Sequence, residues 1–160
     1  MITTINKKIL FIILIFIFSI LISAYIIEHN FGHTPCRLCL YERIPYFISV
    51  LLILKIFFIK LHDKATLLIL SLVFFISSLL AFYHFGIEQG FFSESFVCEA
   101  QNLTNNLSKE EILKQLKENI VSCKDVSFRI LGFSLAAINT ILSILLSVMF
   151  IRLFINYGKN

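Results

Sequence analysis

Charge is scarce in this sequence. Asp, Glu, Lys and Arg make up 15% of the residues, where a soluble domain averages about 25%. The basic residues are too sparse and too segregated to form a nucleic-acid surface. Tryptophan is absent altogether. No histidine follows Cys39 directly, which excludes covalent haem attachment through C-x-x-C-H. A second compact cysteine pair is also missing, because Cys98 and Cys123 stand far apart, so a structural zinc site fits poorly and no metal ligand is assigned. No A-x-A-like cleavage site precedes Glu28, and the apolar stretch before it is longer than a secretory signal requires; the first run is therefore read as a retained helix.

What is present is apolar. Of the 160 residues 58% are hydrophobic, with a mean hydropathy of +0.89. The pattern implies an integral membrane protein with no room for a separate soluble domain of ordinary size. Four apolar runs, at about 9–27, 41–59, 66–85 and 130–154, approach the roughly 20 residues that cross a hydrocarbon core of about 30 Å. The predicted fold is all-α: a single membrane domain over 1–160, a four-helix bundle with two polar loops at about 28–40 and 86–129. The second span is short, so its first turn is expected to take in Leu40 to Arg43, with Pro45 tolerated there because its missing N–H costs little. Lys55 lies inside that run and is expected to snorkel to the nearer interface. In the long loop, Ser108-Lys109-Glu110-Glu111 is a capping-box pattern followed by Ile112, Leu113, Leu116 and Ile120 at helical spacing, which predicts a short amphipathic helix.

Four spans put both termini on one side and both loops on the other. The termini and middle turn carry Lys7, Lys8, Lys60, Lys64, Arg152 and Lys159, with Asp63 the one acid. The long loop balances Lys109, Lys114, Lys117, Lys124 and Arg129 against seven acids. The positive-inside rule then makes the basic face cytoplasmic and sends all four cysteines outward, into a compartment where disulfides persist.

Those cysteines carry the chemistry. Cys36-Arg37-Leu38-Cys39 is a C-x-x-C, whose spacing lets two sulfurs reach each other across one turn. A helix beginning near Leu40 would set Cys39 by its positive end, and Arg37 and Arg43 add positive charge; both favour a thiolate, the species that attacks disulfides and quinones. Two alternatives stand beside redox chemistry: a zinc half-site and an inert structural disulfide. A four-span bundle does not need staples as a small secreted domain does, so electron transfer from one cysteine pair to the other is the preferred reading.

The segment from Pro35 to Pro45, PCRLCLYERIP, resembles the signature of the bacterial disulfide bond formation protein B family. So do the segments 81–88, AFYHFGIE, and 123–135, CKDVSFRILGFSL. Three matches in order, over nearly the whole chain, are far more specific than any one. The resemblance implies an inner-membrane thiol:quinone oxidoreductase that re-oxidises a periplasmic thioredoxin-like (DsbA-like) dithiol and passes the electrons to ubiquinone or menaquinone. It implies catalytic roles for all four cysteines: Cys98–Cys123 as the disulfide attacked by the partner, Cys123 as the thiol that then attacks Cys36, and Cys39 as the thiolate facing the quinone. Arg43 corresponds to the family arginine near the quinone, and His84 is implied as its neighbour. The missing tryptophans and Arg37 between the cysteines depart from the family pattern. A different class remains: a non-enzymatic membrane protein whose cysteines are structural or metal-binding.

Overall fold

The protein is known from a computed structural model that describes residues 7–30, 32, 35–59, 62–93, 123–124, 129–130 and 132–157. The expected amphipathic helix after Ser108, and Cys98, lie outside the described residues. The chain runs α1 (Lys7–Asn30), α2 (Arg37–Tyr41), α3 (Ile44–Ile59), α4 (Asp63–Glu88), a hairpin of β1 (Arg129–Ile130) and β2 (Phe133–Ser134), and α5 (Leu135–Asn156).

Among the described residues α1, α4 and α5 are long and apolar enough to cross a membrane. The run expected to span at 41–59 is divided. Glu42 and Arg43 interrupt it, and α3 keeps 16 residues, about 24 Å of rise against a core of about 30 Å. The expected fourth span also starts later than 130. The hairpin pairs Arg129 with Ser134 and Ile130 with Phe133, and Gly132 takes the turn at a φ of 87° that L side chains rarely adopt. Ser134 then caps α5, its Oγ accepting from the Ala137 amide at 3.2 Å. Pro45 falls in the first turn of α3, as expected. Lys55 reaches the start of α4, donating to Thr66 Oγ1 at 3.1 Å.

The helices are apolar almost all round, so the hydrophobic effect alone cannot choose which faces meet. Close approach and hydrogen bonds do. The most extensive pairing is α4 with α5, antiparallel, along a line of serines. Ser71 and Ser147 each donate to the other's backbone carbonyl, at 3.1 and 3.0 Å, and Ser77 and Ser143 hydroxyls meet at 3.2 Å. Ser77 and Ser143 are fully buried. Small side chains let the backbones close in, as packing in lipid requires. Around this seam lies one core: Leu10, Ile13 and Ile17 of α1, Ile53 and Ile56 of α3, Leu67, Leu70 and Phe74 of α4, and Leu146 and Phe150 of α5. Phe74 and Phe150 stack with centroids 5.7 Å apart. The outward faces carry Phe11, Leu51, Phe58, Ile76 and Leu145, an apolar surface of the kind lipid would cover.

Enlarging the seam should be costly. We expect Ser143→Leu to destabilise the protein by about 1–3 kcal/mol through overpacking, while Leu145→Ala, on the exposed face, changes it little. Thermal unfolding in detergent checks this; equal effects from both substitutions would contradict the assignment of the seam.

Candidate functional site

The C-x-x-C turn falls between α1 and α3 in the chain and meets the last turns of α4. The helix it opens begins at Arg37, not near Leu40, so Cys36 rather than Cys39 takes the N-terminal cap. Its extended backbone (φ −70°, ψ 166°) turns the sulfur back over the helix, where Sγ accepts from the Cys39 amide at 3.2 Å. The two sulfurs lie 2.7 Å apart, both as free thiols. Cys36 is buried and Cys39 is part-exposed.

Behind Cys36 stands a buried polar chain. His84 of α4 presents Nε2 to Cys36 Sγ at 3.5 Å, and its Nδ1 meets Glu42 Oε1 at 2.7 Å. The other Glu42 oxygen accepts from Asn139 Nδ2 of α5 at 2.6 Å. Tyr46 in turn donates its hydroxyl to Asn139 Oδ1 and touches Ser143, a member of the serine seam. Glu42 is 7% and His84 2% exposed, so a charge here is tolerable only because each polar atom finds a partner. One helical turn beyond His84, Glu88 brings Oε1 to 3.9 Å from His84 Nε2; its side chain is 6% exposed and its Oε2 has no hydrogen-bond partner among the described residues.

The arrangement separates the two thiols. Cys36 is held down to about 4, first by the hydrogen bond from Cys39 and then by His84, against the opposing effect of burial. Cys39 is driven well above the ordinary thiol value by the bond it gives to Cys36, by burial, and by the negative charges on Cys36 and Glu42. Cys36 is therefore the thiolate of the reduced pair. Neither Arg37 nor Arg43 contributes to this bias. Arg37 points to solvent, and Arg43 donates to Glu28 Oε2 of α1 at 2.7 Å, a part-exposed ion pair away from the sulfurs.

Cys123 completes the cluster from the distant end of the sequence. It is 2% exposed, disulfide-bonded, and packed with Cys36, Leu38 and Ile87, with Cys39, Leu80 and Tyr83 at the margin. Three of the four predicted cysteines thus meet, with His84 alongside. Gly86, inside the AFYHFGIE motif, has a local reason: a Cβ there would collide with the ring of Phe92, which folds back to stack on Tyr83 at 5.5 Å. A cleft of about 530 Å³, lined by Ile87, Gly90, Phe92, Ser93 and Lys124, opens beside the cluster. Glu42, Asn139, Tyr46 and Glu88 were not anticipated as site residues. The available signal was an acid set at the border of an apolar run, where an unpaired charge is expensive.

A family model described as "Disulfide bond formation protein DsbB" matches residues 6–153. Among curated proteins the chain is similar to "Uncharacterized protein RP370" of Rickettsia prowazekii (strain Madrid E), with 34% identity over 156 residues, 96% of this chain and 90% of that protein. No solved structure matches at a significant level.

The site makes a pH-dependent expectation with a definite sign. A depressed thiol pKa leaves the thiolate populated above it and lost below it. In the fully reduced protein, thiolate ultraviolet absorbance from Cys36 should persist through neutrality and disappear only as pH falls past about 4. His84→Ala should move that midpoint upward, each tenfold loss of thiolate reflecting about 1.4 kcal/mol. A wild-type midpoint near the ordinary thiol value of 9.0 would refute the arrangement.

Proposed function

The chain belongs to the disulfide bond formation protein B (DsbB) family, an oxidoreductase family of disulfide formation, and from that premise we propose that it is a thiol:quinone oxidoreductase of the bacterial inner membrane. The observation that carries this reading is the meeting of Cys123 with the Cys36–Cys39 pair in one buried cluster, backed by His84 and Glu42. A static staple has no use for a thiolate held by its neighbouring thiol and by a histidine that a carboxylate orients; a thiol beside an oriented histidine is how nucleophilic cysteines are activated.

The proposed cycle starts with Cys36–Cys39 and Cys98–Cys123 both oxidised. A reduced DsbA-like dithiol attacks the Cys98–Cys123 disulfide, leaves as a disulfide, and the two thiols stay behind. Cys123 attacks Cys36, expelling Cys39 as the leaving sulfur. Cys98 then attacks Cys123, restoring Cys98–Cys123 and leaving Cys36 and Cys39 reduced. Two electrons and two protons have moved inward, and a membrane quinone accepts them as it becomes quinol. His84 holds or delivers a proton at Cys36 Sγ through Nε2, while Glu42 fixes its ring through Nδ1.

The order of bonding also decides which sulfur is charged. In the free dithiol, Cys39 is raised first by its bond to Cys36, then by burial and then by the charge on Cys36. The first and last of these vanish once Cys36 is bonded to Cys123. Cys39 then becomes the better thiolate, although burial and Glu42 still oppose it. The thiolate thus passes to the part-exposed cysteine while Cys36 is held by Cys123, so Cys39 meets the quinone first and the two electrons follow once Cys98 has released Cys36. Leu40 and Tyr41, about half exposed beside it, offer an apolar rim to a quinone ring and tail. Arg43, one step beyond Glu42, would leave Glu28 to bind a quinone oxygen as charge develops there. In this reading α3 joins the three long helices as a short fourth span of a single domain, with N- and C-termini cytoplasmic and the cysteine-bearing segments periplasmic.

The direct test is turnover. With a reduced thioredoxin-like dithiol partner and a soluble quinone, purified protein should consume quinone, and Cys39→Ala and Cys98→Ala should each abolish it. Arg43→Ala should slow turnover by about a hundredfold or more, the scale of losing one oxyanion donor. Absence of turnover with several partners and both ubiquinone- and menaquinone-type acceptors, from folded protein, would instead favour cysteines that are structural.

A further inference from the structure

The donor atoms behind the C-x-x-C suit a second occupant. We propose that the reduced pair, with His84 and Glu88, is a binding site for a thiophilic divalent cation such as zinc, and that metal and disulfide exclude one another there.

Cys36 Sγ, Cys39 Sγ and a ring nitrogen of His84 all lie within 4.8 Å of one another. Sequence spacing had argued against zinc because Cys98 and Cys123 form no second pair. The fold supplies the third ligand from α4 instead, forty-eight residues along the chain from Cys36. Zinc bonds of about 2.3 Å to sulfur and about 2.0–2.1 Å to nitrogen, at tetrahedral angles, place S and N about 3.6 Å apart and two sulfurs about 3.8 Å apart. Cys36 Sγ and His84 Nε2 already stand at 3.5 Å. The sulfurs must separate by about 1 Å from their 2.7 Å contact, within reach of side-chain rotation at the part-exposed Cys39.

Two further observations point to a cation. Glu42 holds His84 by Nδ1 at 2.7 Å, leaving Nε2 directed at the thiols; a carboxylate behind a ligating histidine is the usual outer partner of a metal site. Glu88 stands nearest the open fourth position: its side chain is 6% exposed, its Oε1 lies 3.9 Å from the same Nε2, and its Oε2 has no hydrogen-bond partner among the described residues. The nearby Arg43 is engaged by Glu28, so the surplus of acidic groups here is not met by that guanidinium. Two thiolates and one imidazole, with the Glu88 carboxylate or a water turned into the fourth place, make a four-coordinate set that a borderline-soft ion prefers.

Coordination needs both sulfurs deprotonated, so binding sends their remaining thiol protons to solvent; no electron moves. The oxidised pair cannot bind this way, because its sulfurs are bonded to each other. Metal therefore holds the pair reduced and closes it to disulfide exchange. The metal site stands on its ligands alone, and its failure would leave the quinone reading untouched.

Cobalt(II) serves as the probe, with zinc as competitor, on full-length detergent-solubilised protein reduced by a phosphine. We expect one cobalt per chain, thiolate-to-cobalt charge-transfer absorption, and the intense visible bands of four-coordinate cobalt, all removed by zinc. The same wild-type protein with Cys36–Cys39 oxidised should show none, a comparison that needs no variant. Cys36→Ser should abolish the bands, His84→Ala and Glu42→Gln should weaken binding by about 10–100-fold, and Cys98→Ser should retain it. Absence of stoichiometric binding to reduced protein, bands that survive Cys36→Ser, or bands lost in Cys98→Ser would each overturn the proposal.

Discussion

The structure depends on one buried carboxylate. Glu42 sits between α2 and α3 with both oxygens turned inward, where an ionised group is tolerable only if every lone pair is used. Its two partners come from different helices, His84 on α4 and Asn139 on α5. The same contact therefore locks the cysteine turn onto the bundle and fixes the face that His84 shows to Cys36. Removing either partner would strand the other in an apolar interior, which makes the network an all-or-none feature rather than a sum of bonds.

The membrane-embedded half explains why the partners are in place. Helices that are apolar on every face gain little by burying leucine against leucine in lipid. Serines along α4 and α5 let the two backbones close and supply bonds that set their register. That register carries His84 and Asn139 to matching heights above the seam, and Tyr46 links the seam to the site through Asn139 and Ser143. Structural packing and redox geometry are thus one continuous set of contacts.

The asymmetry between the thiols follows from position more than from charge count. Two arginines near the C-x-x-C looked sufficient to favour a thiolate, yet one faces solvent and the other pairs with Glu28. The work falls instead to a backbone amide at a one-turn helix, to the neighbouring thiol, and to a histidine reached through the fold. A bias set by partners of this kind changes when a sulfur becomes bonded, which a fixed arginine's would not.

Much was legible in the order of residues. Long apolar runs follow from the length needed to cross lipid, and they placed α1 and α4 to within a few residues. The C-x-x-C and the tyrosine–histidine motif pointed to the family, and the fold brings Cys36, Cys39, Cys123 and His84 together. The break at Glu42–Arg43 and the hairpin before α5 were not legible, since hydropathy averages over single polar residues. Nor could it be seen which cysteine caps a helix, that Arg43 would bind Glu28, or that Glu42, Asn139, Tyr46 and Glu88 would gather behind the sulfurs. Composition and local pattern determined that this chain is an apolar, mostly helical protein carrying a C-x-x-C pair. Only tertiary structure decided which thiol is charged, because that depends on atoms contributed by residues far apart in the chain.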